Sequence, residues 1–211
     1  FQERWIRYKP MLRLKYYESI VVYVDPSWKS GGKNDYKACK MWGRPKRGMK
    51  TASHRELHCI RAFCRQCGVG EMVRWLYDLY ESLPEDCAAI FYMEANFMQD
   101  TILDEFQREG DIRGYQLPIM PDTRKKPDKF ARIEAISPLW ERGLVWYNIR
   151  LKDDADMRTS IDQTLSFEQG SRAHDDSPDA DEGAIYKLQK QVRQDTMPPR
   201  IGMRQAPKEG W

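Results

Sequence analysis

Long apolar runs are missing from this sequence. The longest, such as CAAIFYM at 87–93, fall far short of the ~20 residues that cross a bilayer, which excludes a helical membrane span. The opening stretch, FQERWIRYKPMLRLKYY, is basic and aromatic, with no apolar core and no initiating Met. No secretory signal peptide is expected in it, and the chain reads as an excised or processed fragment. The five cysteines are an odd number without small-scaffold spacing, so a disulfide framework is not expected and a reducing compartment is. A large excess of one charge is lacking too: the net charge is +3, too little to coat nucleic acid indiscriminately. There is no internal repeat.

What remains is a soluble, globular composition, 41% hydrophobic and 32% charged over 211 residues, long enough for one compact domain with appendages. SIVVYVD (19–25) is a β-branched run ending in an acid. After a Gly-rich turn, DYKACKMWG supplies a second strand, and ELHCIRAFCRQ (56–66) a third. Met72, Trp75, Leu76 and Leu79 recur at helical spacing in a helix that Pro84 closes. CAAIFYME (87–94) is short and apolar, a buried strand that also ends in a carboxylate. Met98, Ile102 and Phe106 predict a helix stopped by Gly110, and a short strand follows around GYQLPIM. A helix from about Asp128 carries Phe130, Ile133 and Trp140 and is bent or ended by Pro138. GLVWYN (143–148) is a further strand, and Met157, Ile161 and Leu165 mark another helix. Pro178 stands in the first turn of the last helix, whose apolar face is Ile185, Leu188 and Val192. The expected fold is α/β, a mixed sheet flanked by helices.

Charge is clustered even though its sum is small. RPKRGMK (44–50) carries four basic groups and no acid, RKKPDKFAR (124–132) five and one, and HDDSPDADE (174–182) five carboxylates. Separate basic and acidic clusters suit a protein that holds a polyanion with one and a divalent metal with the other; taken singly, each is also compatible with a solvated loop. Gly31, Gly32 and Lys33 imitate a phosphate loop, but Ser27 stands where its first glycine belongs and Asn34 where its hydroxyl residue belongs, and a strand follows instead of a helix. The glycines therefore read as a hairpin connection. Cys64 and Cys67, with His54 and His58 upstream, imitate zinc spacing. They sit in a strand-like segment without four converging ligands, so buried or strand-edge cysteines are expected instead.

Asp25 and Glu94 each end an apolar strand, and Asp175, Asp176 and Asp179 crowd the start of the last helix. If the two strands are neighbours, their carboxylates leave one edge of the sheet and the helix start can bring a third. Such a cluster is costly unless a cation neutralises it. Two hard divalent ions ~3.5–4 Å apart form the clamp used in phosphodiester hydrolysis. Acids in a first helical turn are also favoured by the helix dipole, and an Asp before Pro26 is a common turn residue.

VVYVDPSWKSGGKNDYKA, IFYMEANFMQD and HDDSPDA, in that order, resemble the C-terminal nuclease domain of the large terminase subunit of tailed bacteriophages. The resemblance spans about Tyr17 to Gln191 and is most specific in HDDSPDA. It implies a ribonuclease H-like fold over 17–192, with 1–16 the remnant of a linker from an N-terminal ATPase domain and 193–211 a flexible tail. It further implies a metal-dependent endonuclease that cuts concatemeric double-stranded DNA with low sequence specificity to generate genome ends. Asp25, Glu94 and Asp176 become the ligands of two Mg2+ or Mn2+ ions, with Asp179 and Asp175 as additional or substitute ligands. Lys33, Arg44, Lys46, Arg47, Lys126, Lys129 and Arg132 become phosphate contacts. The implied partners are DNA, the ATPase domain, the small terminase subunit and the portal protein, with no membrane, in the host cytoplasm during virus assembly. Alternatives are another ribonuclease H-like nuclease, such as a resolvase or transposase core, and a non-catalytic DNA-binding or portal-docking module. A helical bundle with a Cys/His zinc is the remaining one.

Overall fold

Side chains on a strand alternate between its two faces, and β2 (Tyr17–Asp25) uses both. Ile20, Val22 and Val24 enter one apolar cluster, Val21 and Tyr23 the other. The structure, a computed structural model, describes residues 1–27, 36–95, 100–171 and 173–196, with the backbone alone at 100–101 and 191–196. Lys33, the Gly31–Gly32 stretch, Met98, the side chain of Val192 and 197–211 of the expected tail lie outside that description.

The architecture is the expected α/β one, a mixed sheet with helices on both faces. Its strands are β1 (Tyr8–Lys9), β2, β3 (Tyr36–Pro45), β4 (Leu57–Gln66), β5 (Ala89–Glu94), β6 (Ile119–Asp122) and β7 (Val145–Asn148), in the order β1-β7-β4-β3-β2-β5-β6. β3 runs antiparallel to both β2 and β4, while β5 and β6 run parallel to β2. The carboxyl ends of β2, β5 and β6 therefore share one edge of the sheet.

On one face lie α1 (Val69–Glu81) and α2 (Asp100–Arg113); Met72, Val73 and Leu76 of α1 and Ile102 and Phe106 of α2 join Val22, Val24, Phe91 and Met93. The other face carries α5 (Ala155–Leu165) and α6 (Asp176–Thr196), whose Ala180, Ala184, Ile185 and Leu188 meet Val21, Tyr23 and Trp42. Contact between α6 and β2 is tight at Gly183, where a Cβ would stand 2.4 Å from the Tyr23 ring.

Two expectations are corrected. Gly110 does not stop α2: the helix runs three residues further, and Gly114, at φ 79°, ends it while its own N–H and that of Tyr115 donate to Gly110 O. The helix expected from Asp128 is two helices, α3 (Lys129–Glu134), capped by Asp128 Oδ1 on Ala131 N–H, and α4 (Ser137–Glu141), in whose first turn Pro138 stands. Proline fits there because its missing N–H has no helical partner to lose. Residues 1–16 contribute β1 to the sheet edge beside β7 and pack Phe1, Trp5, Ile6 and Tyr8 against the α6-side core.

Candidate functional site

Strand parity decides which acids meet. Val24 pairs with Met93, so Asp25 and Glu94 follow together at the ends of adjoining parallel strands, and Glu94 pairs with Asp122. All three lie on the α6 face, because Val22, Val24, Phe91 and Met93 take the other. The first turn of α6 adds Asp176 and Asp179, three positions apart and thus on one side of the helix. Asp25 thus feels the charges of Asp179 and Asp176, and Lys126 links Glu94 to Asp179, with Asp175 at the rim.

Asp25 is 7% exposed and accepts a hydrogen bond from Ser27 N–H at 3.0 Å. Burial, followed by the charges of Asp179 and Asp176, pushes its carboxyl up to about 8. Burial also raises Asp176, against a hydrogen bond from the Ser27 side chain and the charge of Lys129. For Asp179 burial acts in the same direction, but Lys126, Arg132 and Lys129 outweigh it and hold the carboxyl below the usual range.

Those three cations come from the stretch between β6 and the end of α3. Lys126 Nζ lies 2.6 Å from Glu94 Oε2 and 3.7 Å from Asp179 Oδ1. Lys129 Nζ lies 2.7 Å from Asp175 and 3.3 Å from Asp179 Oδ2, while Arg132 reaches Asp179 Oδ2 and Glu182 Oε2, each at 2.6 Å. Arg124 joins Asp122 to Glu182, and Lys187 Nζ sits 2.7 Å from Asp122 Oδ1. Among the described residues of this network, seven carboxylates (Asp25, Glu94, Asp122, Asp175, Asp176, Asp179, Glu182) face five cations, an excess of two negative charges when all are ionised.

With basic side chains among the acids, no three His, Cys, Asp or Glu side chains among the described residues stand together as a ligand set for a metal ion. The donor chemistry nevertheless fits a hard divalent cation, which takes carboxylate oxygens. Asp179 Oδ1 is buried and has no hydrogen-bond partner among the described residues, and Asp25 carries a carboxyl whose ionised form a cation would relieve.

The residues expected to contact phosphates lie in two separate places. Lys126, Lys129 and Arg132 pair with acids; Arg132 is only 8% exposed, whereas the Lys129 side chain is 39% exposed. Arg44 is also buried, with Nη1 donating to His54 O at 3.2 Å. Lys46 and Arg47 are exposed, but Pro45 pairs with Tyr17 at the far end of β2. Eight residues at ~3.3 Å each put that loop about 26 Å from Asp25 along the strand. The antiparallel course of β3 carries the 44–50 cluster away from the acids.

The cysteine and histidine motif is occupied by other contacts. Cys64 is buried in β4 and Cys67 lies just past it, His54 pairs with Glu18, and His58 hydrogen-bonds Tyr17 and Glu56. Asp122 and Lys40 went unnoticed in the sequence, while Arg124 and Asp181 were counted there only as members of charge clusters. Asp122 had a signal, since it ends a strand as Asp25 and Glu94 do. Although burial raises it, bonds from Lys187 and the Tyr23 hydroxyl hold it below the usual range.

No protein-family model matches the chain, and no curated protein sequence does. Solved structures do share its ribonuclease H-like fold. The human cytomegalovirus terminase nuclease domain superposes with a TM-score of 0.58 at 14% identity, over 88% of this chain and 94% of that one. The large terminase nuclease domain of phage P22 gives 0.58 at 12% identity, over 90% of each. The large terminase of bacteriophage HK97 gives 0.54 at 11% identity, over 85% of this chain and 40% of that longer one. No helix among the described residues is long and apolar enough to cross a membrane.

Proposed function

We propose that the chain is the metal-dependent endonuclease domain of a viral DNA-packaging terminase, cutting concatemeric double-stranded DNA with little sequence preference to generate genome ends. One observation carries the reading: in a fold shared with terminase nuclease domains, Asp25, Glu94, Asp176 and Asp179 converge at the carboxyl edge of parallel strands.

Asp25, Glu94 and Asp176 would hold two Mg2+ or Mn2+ ions, with Asp179 and Asp175 as further ligands. Bound there, such ions supply an activated water and stabilisation of the leaving oxygen. The chain's own part is positional. Ser27 N–H orients Asp25, and Arg132 orients Asp179 through Oδ2, leaving Oδ1 turned to the site. Lys126 and Lys129 belong to a segment bordering the acids and would meet the DNA backbone there, with Lys33 as a further proposed phosphate contact. Phosphate contacts position a duplex without reading its bases, which accounts for low sequence preference. The ATPase domain, small terminase subunit and portal protein would be partners, and the host cytoplasm the setting.

The test is plasmid cleavage by the purified chain with Mn2+. Cutting should depend on the metal and disappear in Asp25→Ala; undiminished cutting by that variant would remove the claim.

A further inference from the structure

Lys126 stands where its charge has two uses. Its ammonium bridges Glu94 at the end of β5 to Asp179 on α6, at 2.6 and 3.7 Å. These are acids from two different elements, and a cation joining them is what a divalent ion in this site would be. The 3.7 Å separation is too long for a hydrogen bond, and Asp179 Oδ1 is buried with no hydrogen-bond partner among the described residues. Its needs are met electrostatically and incompletely.

The lysine can also leave. Residues 123–128 between β6 and α3 form neither helix nor strand, so Lys126 sits on a connection held at its two ends by Arg124 and by the Asp128 cap. Lysine is a point charge on a flexible four-carbon stem, without the fork that fixes an arginine. Arg132, by contrast, is locked on Asp179 Oδ2 and Glu182 inside the domain.

We infer that Lys126 is an internal counter-cation that competes with a divalent metal ion for Glu94 and Asp179, and thereby sets the metal affinity of the site. The inference rests on the reading of these acids as a metal centre. When metal enters, the ammonium must release both acids; a phosphodiester at the same edge offers it a new partner, so DNA should favour loading by taking Lys126 away. A ligand that binds one of two competing arrangements shifts the equilibrium toward it.

The experiment is calorimetric titration of the whole chain with Mn2+ alone, without DNA, near neutral pH. Lys126→Met should bind Mn2+ about tenfold more tightly than the unaltered chain, within the usual range of such couplings. Lys125→Met removes an equal charge from the next position, which is exposed, and should change the affinity less than about twofold because exposed charges are screened. If Lys126→Met folds poorly, judged by circular dichroism, Lys126→Gln reads the same quantity with a neutral side chain that can still hydrogen-bond. Equal or weaker binding by the Lys126 variants overturns the inference, as does an equal gain in Lys125→Met, which would reduce the effect to general electrostatics. Absence of Mn2+ uptake in every variant would overturn the metal-centre reading itself; uptake by the unaltered chain without a gain in the variants overturns only the role of Lys126.

Discussion

Breaking the ion pair between Lys40 and Asp181 should destabilise the domain far more than removing both partners together. Both side chains are fully buried, with Lys40 Nζ 3.0 Å from Asp181 Oδ1. Trp42 Nε1 donates to the same oxygen at 2.9 Å, and Lys40 also donates to Ser160 Oγ. Burial pushes the Asp181 carboxyl up and alone would push Lys40 down, but the Asp181 charge keeps Lys40 protonated. Lys40→Met leaves the carboxylate without its cation, and Asp181→Leu leaves an ammonium without its anion. Each should cost about 3–5 kcal/mol, the usual penalty for an uncompensated buried charge.

At ~2–4 °C per kcal/mol for a domain of this size, either single change should lower Tm by roughly 6–20 °C. The double variant Lys40→Met/Asp181→Leu buries no charge and should fall within ~2 kcal/mol of the unaltered chain, the residue being mostly the orphaned Trp42 N–H. Urea unfolding followed by circular dichroism, arranged as a double-mutant cycle, measures the coupling, expected to exceed about 3 kcal/mol. Single-variant costs below ~1 kcal/mol, or a double variant costing the sum of both, would refute the reasoning. The outcome bears on the site, because Asp181 follows Asp179 by two residues and ties α6 to β3.

Two further outcomes follow from the same face of the sheet. Asp25→Asn keeps the shape of a buried acid crowded by Asp176 and Asp179 but not its charge, so it should abolish Mn2+ uptake while raising metal-free stability. Since the folded carboxyl titrates near 8 and the unfolded one near 3.8, the unaltered chain loses this stability as pH rises between those values; the advantage of Asn should therefore grow toward pH 8 and reach ~1 kcal/mol or more, and a thermal-melt series showing none would refute it. Gly183→Ala, which in an open helix would stabilise by about 1 kcal/mol, should instead cost ~1–3 kcal/mol because its Cβ meets the Tyr23 ring at 2.4 Å; a melt at or above that of the unaltered chain would show that α6 has room to move.

Asp25 and Glu94 could be located from sequence because a buried strand is a short apolar run, and a carboxylate is tolerated only where the run emerges. Asp122 obeys the same rule but was hidden: Pro118 and Pro121 interrupt the run before it, so β6 registers as little more than Ile119 and Met120. The α6 acids were legible from HDDSPDA, while Asp181 and Glu182 looked like more of the same cluster. Helical geometry separates them. Asp181 turns under the helix to Lys40 and Trp42, and Glu182 turns to Arg124 and Arg132. The basic clusters were read as phosphate contacts because a sequence shows charge without showing what faces it. The fold sets the two in different surroundings: Lys126, Lys129 and Arg132 lie beside acids, and 44–50 lies at the far end of β3.

The division of labour between arginine and lysine in this network follows from what each acid has to do. A carboxylate that only braces the fold is best held by a planar fork that never loses its proton, and Arg124 takes Asp122 and Glu182 in that way. A carboxylate that must exchange its partner for a metal ion is best held by a single ammonium on a flexible stem. Lys126 takes Glu94, and Lys129 takes Asp175. Lys187 on Asp122 departs from this division, on an acid already held by Arg124. Asp179 has both kinds of partner, an arginine on Oδ2 and lysine charge near Oδ1. One oxygen is thereby fixed in the frame and the other left to the site. If the acids are the metal centre proposed above, cations that make the metal-free cluster tolerable would oppose its loading by the same interaction, and the stability of the metal-free domain and its metal affinity could not both be maximal.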